Sequence, residues 1–291
     1  VRWAVPVCDP DEVESLYEHG ADELYCGILD TQWCKRWGGH DTISRRAGRA
    51  NLSSTDAAWE VLKRAHAVKL PVYLTLNARY TGEQYAYLCN LLSAWDAHGG
   101  DGVHLSDMGL LLRASRMRLQ TRLSVSLLSV TVNRACAELY RELGVSRVVL
   151  PRMLMPDEMC DAGAGLEREA MVFADKCPFV DGLCRFYHGV GYADSPYAPT
   201  RTEMVYDTCF RNMACRELFG EPPASPPCAA CRIEDLEKAG VTIGKLGGRG
   251  TPLPWRIRQL DFLTDAAKIP QKERPALYRE RFGTCVCYYG R

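Results

Sequence analysis

Eight short apolar runs, most of them followed by a segment of helical periodicity, set the strongest limit on how this chain can fold. The runs are Trp3–Val7, Glu23–Ile28, Val72–Asn77, Gly102–Leu105, Leu123–Leu127, Arg147–Leu150, Ala170–Ala174 and Val241–Leu246. Between them lie amphipathic stretches such as Ser54–Val68 and Gly82–His98, and the first of these opens on Ser-Ser-Thr-Asp, a set of good N-cap residues. Strand alternating with helix implies parallel pairing, because a parallel neighbour can be reached only through a crossover. Eight such strands predict a (β/α)8 TIM-like barrel of the α/β class; spacing alone leaves an open doubly wound sheet as the alternative. The length, 291 residues, fits a barrel of roughly 250 residues with insertions. The expected layout is a barrel domain over 1–268, with a cysteine-rich insertion at 177–231 between the last two strands. A helical, cysteine-bearing tail over 269–291 follows it.

Barrel enzymes carry their chemistry at the C-terminal ends of the strands. Here those ends are polar: Cys8-Asp9, Cys26-Gly27, Asn77-Ala78-Arg79, Ser106-Asp107, Ser126, Pro151-Arg152, Asp175-Lys176-Cys177 and Lys245 through Arg249. Loops are polar in any case, so a single such residue says little. Arg79 and Arg152 rise above that background, since each follows a buried-type strand where a guanidinium can grip a carboxylate bidentately. The long loop from Asp30 to Ser53 holds five basic residues with Trp33 and Trp37. It reads as a lid over an anionic substrate or as a docking surface for a protein partner. No G-x-S-x-G elbow, H-E-x-x-H site or G-x-G-x-x-G turn is present.

Lysine plus arginine equals aspartate plus glutamate at 36 each. A chain that grips polyanions usually carries a basic excess, so nucleic acid is disfavoured and a small molecule is the expected partner. The N-terminal residues show no apolar leader and no run reaches the length of a membrane span, which points to a cytoplasmic protein. In that compartment 14 cysteines are better explained by metal or redox chemistry than by disulfides. Cys89, Cys136 and Cys160 sit in helical patterns and read as small hydrophobes. Six others fall between Cys177 and Cys231: CPFVDGLC, then CFRNMAC, then CAAC. The closing C-x-x-C lets two thiolates converge on one centre, and with Cys177, Cys184, Cys209 and Cys215 it signals bound metal. The irregular spacing suits a 4Fe–4S cluster better than structural zinc, which generally pairs two short hairpins.

Five blocks resemble a known family: GADELYCG (Gly20–Gly27), LNARY (Leu76–Tyr80), RVVLPRMLMPDEM (Arg147–Met159), CPFVDGLCRFYHG (Cys177–Gly189) and AGVTIGKLGGRG (Ala239–Gly250). Together they are similar to peptidase family U-32, the collagenase-like peptidases, in the family's order and over nearly the whole chain. The closing C-x-C-Y-Y of Cys285–Tyr289 resembles the tail of a compact bacterial branch. The resemblance implies a 4Fe–4S cluster on four cysteines and oxygen-independent hydroxylation, with prephenate as hydroxyl donor in some members. Carried onto this sequence, the cluster ligands are Cys177, Cys184, Cys231 and either Cys209 or Cys215, with Cys209 preferred. Arg79, Arg152, Lys245 and Arg249 would bind an organic acid, and His188 and Asn77 would orient groups or move protons. Cys228, Cys285 and Cys287 are extra to that set, and Leu246-Gly247 departs from the family's K-I-x-G-R block. The expectation is therefore a 4Fe–4S hydroxylase acting on a small molecule. A U-32-type peptidase or hydrolase, or a cluster-bearing partner subunit of a heteromer, are the alternatives.

Overall fold

The computed structural model describes residues 1–37, 43–46, 48–174, 181–182 and 225–290. Eight parallel strands close on themselves in sequence order: β1 (Arg2–Pro6), β2 (Glu23–Cys26), β3 (Val72–Leu76), β4 (Gly102–Leu105), β5 (Arg122–Val125), β6 (Val145–Val149), β7 (Glu167–Phe173) and β8 (Val241–Leu246). Closure is explicit in the register, where Ala4 of β1 stands beside both Glu23 of β2 and Lys245 of β8. The (β/α)8 expectation holds, and the open sheet does not.

Helices α1 (Val13–Glu18), α2 (Thr31–Trp37), α3 (Thr55–Ala67), α4 (Tyr85–Ala97), α5 (Met108–Ala114), α6 (Arg134–Glu142) and α7 (Pro156–Ala162) occupy the crossovers. After the insertion come α8 (Ile233–Lys238), α9 (Leu253–Lys268) and α10 (Arg274–Phe282). Their starts follow local chemistry. Ser54 caps α3 by accepting the Ala57 N–H at 3.1 Å, and Asp107 caps α5 by accepting the Leu110 N–H at 2.9 Å. The main core lies between strands and helices, where Val5, Leu24, Leu74, Leu92, Trp95 and Phe262 are all fully buried. Among the described residues no helix is long and apolar enough to cross a membrane.

Strand β7 begins at Glu167, three residues before the run read from sequence. Glu-Arg-Glu does not look like a buried strand, yet Glu169 is fully buried. The reason is that the inside of this barrel is not apolar. Its inner face carries a small hydrophobic patch, Ala4, Tyr25, Tyr73 and Ile243, beside buried polar and ionic side chains.

The loop that reads as a lid is anchored from within. Trp33 on α2 is 1% exposed and packs on Trp37 and Tyr87, with ring centroids 4.5 and 5.6 Å away, so its aromatic residues form a wedge against α4.

Candidate active site

Charged side chains fill the barrel axis in two tiers. In the lower tier Arg147 of β6 grips Glu23 of β2 with both terminal nitrogens, at 2.5 and 2.9 Å. Its Nε donates to Glu167 at 2.9 Å, its Nη1 reaches Glu169 at 3.3 Å, and its guanidinium lies 4.0 Å from the centre of the Tyr73 ring. Arginine suits this position because its fork meets a carboxylate bidentately while its flat face covers an aromatic ring.

In the upper tier Lys245 of β8 donates to Glu169 at 2.5 Å and to His104 Nε2 at 3.1 Å. The ammonium also sits 3.9 Å from the centre of the Tyr25 ring, whose hydroxyl donates to the Leu246 carbonyl at 2.6 Å. This network fixes the imidazole tautomer. An ammonium has only donors, so Nε2 must accept, which leaves the proton on Nδ1 facing Ser124 Oγ at 2.9 Å. Burial, and then the Lys245 charge, push His104 well below the ordinary imidazole value, so the ring is neutral at pH 7. Its 3.9 Å approach to Glu169 is therefore not an ion pair. Burial works to raise the Glu169 carboxyl, but the charges of Lys245 and Arg147 outweigh it and hold the group at about 2. Burial pushes Lys245 down from its ordinary value, with Glu169 pulling the other way.

Acid should undo this arrangement in two stages. An unfolded imidazole takes its proton near 6.5 while His104 in the fold resists, so the unfolded state binds more protons and stability falls as pH drops below 6.5. A second loss follows between about 4.5 and about 2, as Glu169 protonates in the unfolded chain before it does in the folded one. Denaturant titrations at pH 7, 5 and 3 should show both steps, and His104→Gln should remove the part between pH 7 and 5.

Above the upper tier lies Arg249, 5% exposed, whose guanidinium donates to Thr75 Oγ1; that hydroxyl donates in turn to the Cys26 carbonyl at 2.8 Å. Gly27 makes this seat available, because a Cβ there would run into the Arg249 guanidinium and the Asn51 side chain. Two thiols stand near it. Burial pushes Cys26 up to about 12 and raises Cys8 as well, so both are protonated and neither is a ready nucleophile.

The structure thus brings Lys245 and Arg249 together over Tyr25 and His104. The other expected binding residues sit around the rim. Asn77 accepts the Arg45 N–H at 3.2 Å, and Arg79 is exposed and reaches the Ser106 and Leu128 carbonyls at 3.4 Å. Arg152 grips Asp181, with contacts of 2.7 Å from its backbone N–H and 2.9 Å from Nε. His188, Cys177, Cys184, Cys209 and Cys215 lie outside the described residues. Cys231 lies within them, with its sulfur 3.3 Å from that of Cys287.

Sequence reading missed His104, Glu169, Arg147, Glu23 and Thr75. The available signal was a charged or hydroxyl residue at alternate positions inside strands otherwise apolar, which is what a polar barrel interior requires.

A closed parallel barrel with cations gathered at the C-terminal end of its strands has the architecture of a TIM-barrel enzyme. The chain belongs to peptidase family U32, whose sequence profile matches residues 9–253. The U32 peptidase Mk0906 shares its fold at 16% identity and a TM-score of 0.51, over 69% of this chain and 84% of that one. Looser likenesses include M. tuberculosis tryptophan synthase in its ligand-free form (9% identity, TM-score 0.44, 97% and 91% of the two chains) and a phosphonopyruvate hydrolase (11%, 0.40, 58% and 66%). No curated protein matches the chain.

These findings correct one expectation. The reading as an iron–sulfur hydroxylase with a prephenate-like donor is overturned, because the matching profile is that of a peptidase family. Among the described residues, moreover, the side chains close enough together to share a metal ion are Glu23, His104 and Glu169, with no cysteine in the group. Those three do not suit a cation either, since Arg147 and Lys245 already occupy the positions from which a metal would neutralise them. The hydrolase alternative is the one the comparisons favour.

Proposed function

We propose that this protein is a U32-type hydrolase that cleaves an amide bond at the C-terminal mouth of the barrel. The observation that carries the reading is the match of a peptidase family's profile across residues 9–253. Hydrolysis needs a donor for the oxyanion that forms on the carbonyl, a group to take a proton from water, and a proton for the departing amine. Arg249 and Lys245 are buried cations at the mouth, where a low dielectric makes their charge count most. His104 orients Lys245 rather than moving protons, because its Nε2 lone pair is taken by the Lys245 ammonium and its Nδ1 proton faces Ser124. Glu169 holds Lys245 in place and balances its charge.

The test is incubation with a pool of unstructured peptides, reading new termini by mass spectrometry. Wild-type protein should generate them, and Arg249→Met should lower the rate by about 10²–10³-fold at unchanged fold, the usual consequence of removing an oxyanion donor. Equal rates in the two proteins would place the chemistry elsewhere.

A further inference from the structure

The barrel has a second cavity at its other end. Below the lower tier, where the strands begin, a space of about 380 Å³ opens to solvent past Arg2, Gly99 and Gln120, all exposed. It has the size of a small-molecule site, and the hydrolase reading leaves it unused.

Its two sides carry opposite charge. On the β7 side three arginines share one carboxylate: Arg2 of β1, Arg122 of β5 and Arg147 of β6 donate to Glu167 at 2.6, 2.8 and 2.9 Å. Arg147 is further committed to Glu23 and Glu169, whereas the half-exposed side chains of Arg2 and Arg122 make that one bond alone among the described residues. A guanidinium is a fork of several N–H donors, so most of each fork is uncommitted. Opposite β7 in the closed order stands β3, and the crossover that follows it supplies Asp96 and Asp101 to the same cavity. Asp96 accepts the Gln120 and Thr121 N–H groups on Oδ1, at 2.7 and 2.6 Å, and Asp101 takes the Val72 N–H and His66 on Oδ2, at 2.8 and 2.9 Å. The second oxygen of each carboxylate has no hydrogen bond among the described residues.

Tyr73 of β3 reaches between these poles. Its ring is 1% exposed, with the Arg147 guanidinium 4.0 Å from its centre and the stacked His104 ring 5.1 Å away. Gly102 of β4 makes room for it, because a Cβ there would collide with the ring. The Tyr73 hydroxyl is buried and has no hydrogen-bond partner among the described residues. Burial raises it and keeps it protonated, and the charges that act on it next are those of Arg147, Glu23, Arg122 and Glu167, which places it at the arginine pole. A buried hydroxyl without a partner destabilises the fold, and a ligand that accepts its proton relieves that strain.

We propose that this basal cavity binds a free α-amino acid as its zwitterion. Arg2 and Arg122 turn to take the carboxylate and let it reach the Tyr73 hydroxyl, and the spare oxygens of Asp96 and Asp101 take the ammonium. The lining calls for both charges in one ligand: it sets three cations, Arg2, Arg122 and Arg147, against three anions, Glu23, Asp96 and Asp101, so neither a bare anion nor a bare cation gains net attraction. The cavity lies at the opposite end of the barrel from the mouth, so binding here does not rest on the hydrolase reading.

The test is thermal unfolding of the full chain with each of the common amino acids in turn, followed by calorimetric titration of any that raises the midpoint. At least one should raise it, and the amide and the N-acetyl derivative of that amino acid, each short of one charge, should bind about ten-fold more weakly or worse. Tyr73→Phe should unfold at the wild-type temperature or above without ligand, yet bind the amino acid about ten-fold less tightly. Arg2→Gln/Arg122→Gln should lose at least as much, while Arg116→Gln, at an exposed arginine outside the cavity, keeps the wild-type affinity. Should the double arginine variant fail to fold, Tyr73→Phe alone supplies the comparison. A wild type indifferent to every amino acid, an amide that binds as tightly as the free acid, or unchanged affinity in either basal variant would overturn the proposal.

Discussion

Replacing Lys245 by methionine should both destabilise the protein and stop its chemistry. Methionine keeps the length and apolar stem of the side chain but removes the charge, so Glu169 loses the partner now 2.5 Å away while remaining fully buried. Breaking a buried ion pair in this one-sided way costs about 3–5 kcal/mol, because the remaining charge is left without compensation. Thermal unfolding should shift down by roughly 10 °C. A second change separates this cause from packing damage. Lys245→Met/Glu169→Gln, which removes both charges, should recover much of the lost stability but none of the hydrolytic activity. If the double variant is no more stable than the single one, the ion pair is not what holds the upper tier together.

Arg147→Met should be as damaging to the fold and far less so to the chemistry. Arg147 answers Glu23 with two hydrogen bonds and also reaches Glu167 and Glu169, so its loss strands the buried Glu23 carboxylate, leaves Glu169 with Lys245 alone and strips the cation from the Tyr73 face. The expected loss is again about 3–5 kcal/mol or more, with low soluble yield. Arg147→Lys should restore only part of it, since an ammonium cannot reproduce the fork. Arg147 belongs to the lower tier, beneath Lys245 and away from the mouth. Whatever Arg147→Lys protein folds should therefore turn over at close to the wild-type rate, whereas Lys245→Met should not. The pair of results would separate a structural tier from a functional one inside a single barrel.

The eight strands were legible because parallel strands buried on both sides are written as short apolar runs, and their predicted limits fall within a few residues of the observed ones. The exception is instructive. Glu-Arg-Glu at the start of β7 looked like loop because charge inside a strand ordinarily signals solvent, and only a neighbouring Arg147 and Lys245 make Glu169 tolerable there. Those partners come from other strands, and no local pattern joins residues separated by 124 positions, as Arg147 and Glu23 are. Lys245 and Arg249 were readable as mouth residues because they follow or end a strand. His104 was not, since a lone histidine in Gly-Val-His-Leu carries no mark of the lysine that will meet it. The tail shows the same limit: Cys287 contacts Cys231 across 56 positions, and spacing could count those thiols without pairing them.

The central claim, that the mouth of this barrel hydrolyses an amide bond, is tested most directly by the source of the oxygen in the product. Peptides incubated with the wild-type protein in ¹⁸O-labelled water should yield fragments carrying one heavy oxygen in each newly formed carboxyl terminus. Lys245→Met/Glu169→Gln, confirmed as folded, should produce none above background. Intact peptides after prolonged incubation with folded wild-type protein, or cleavage that proceeds unchanged in the double variant, would contradict the account.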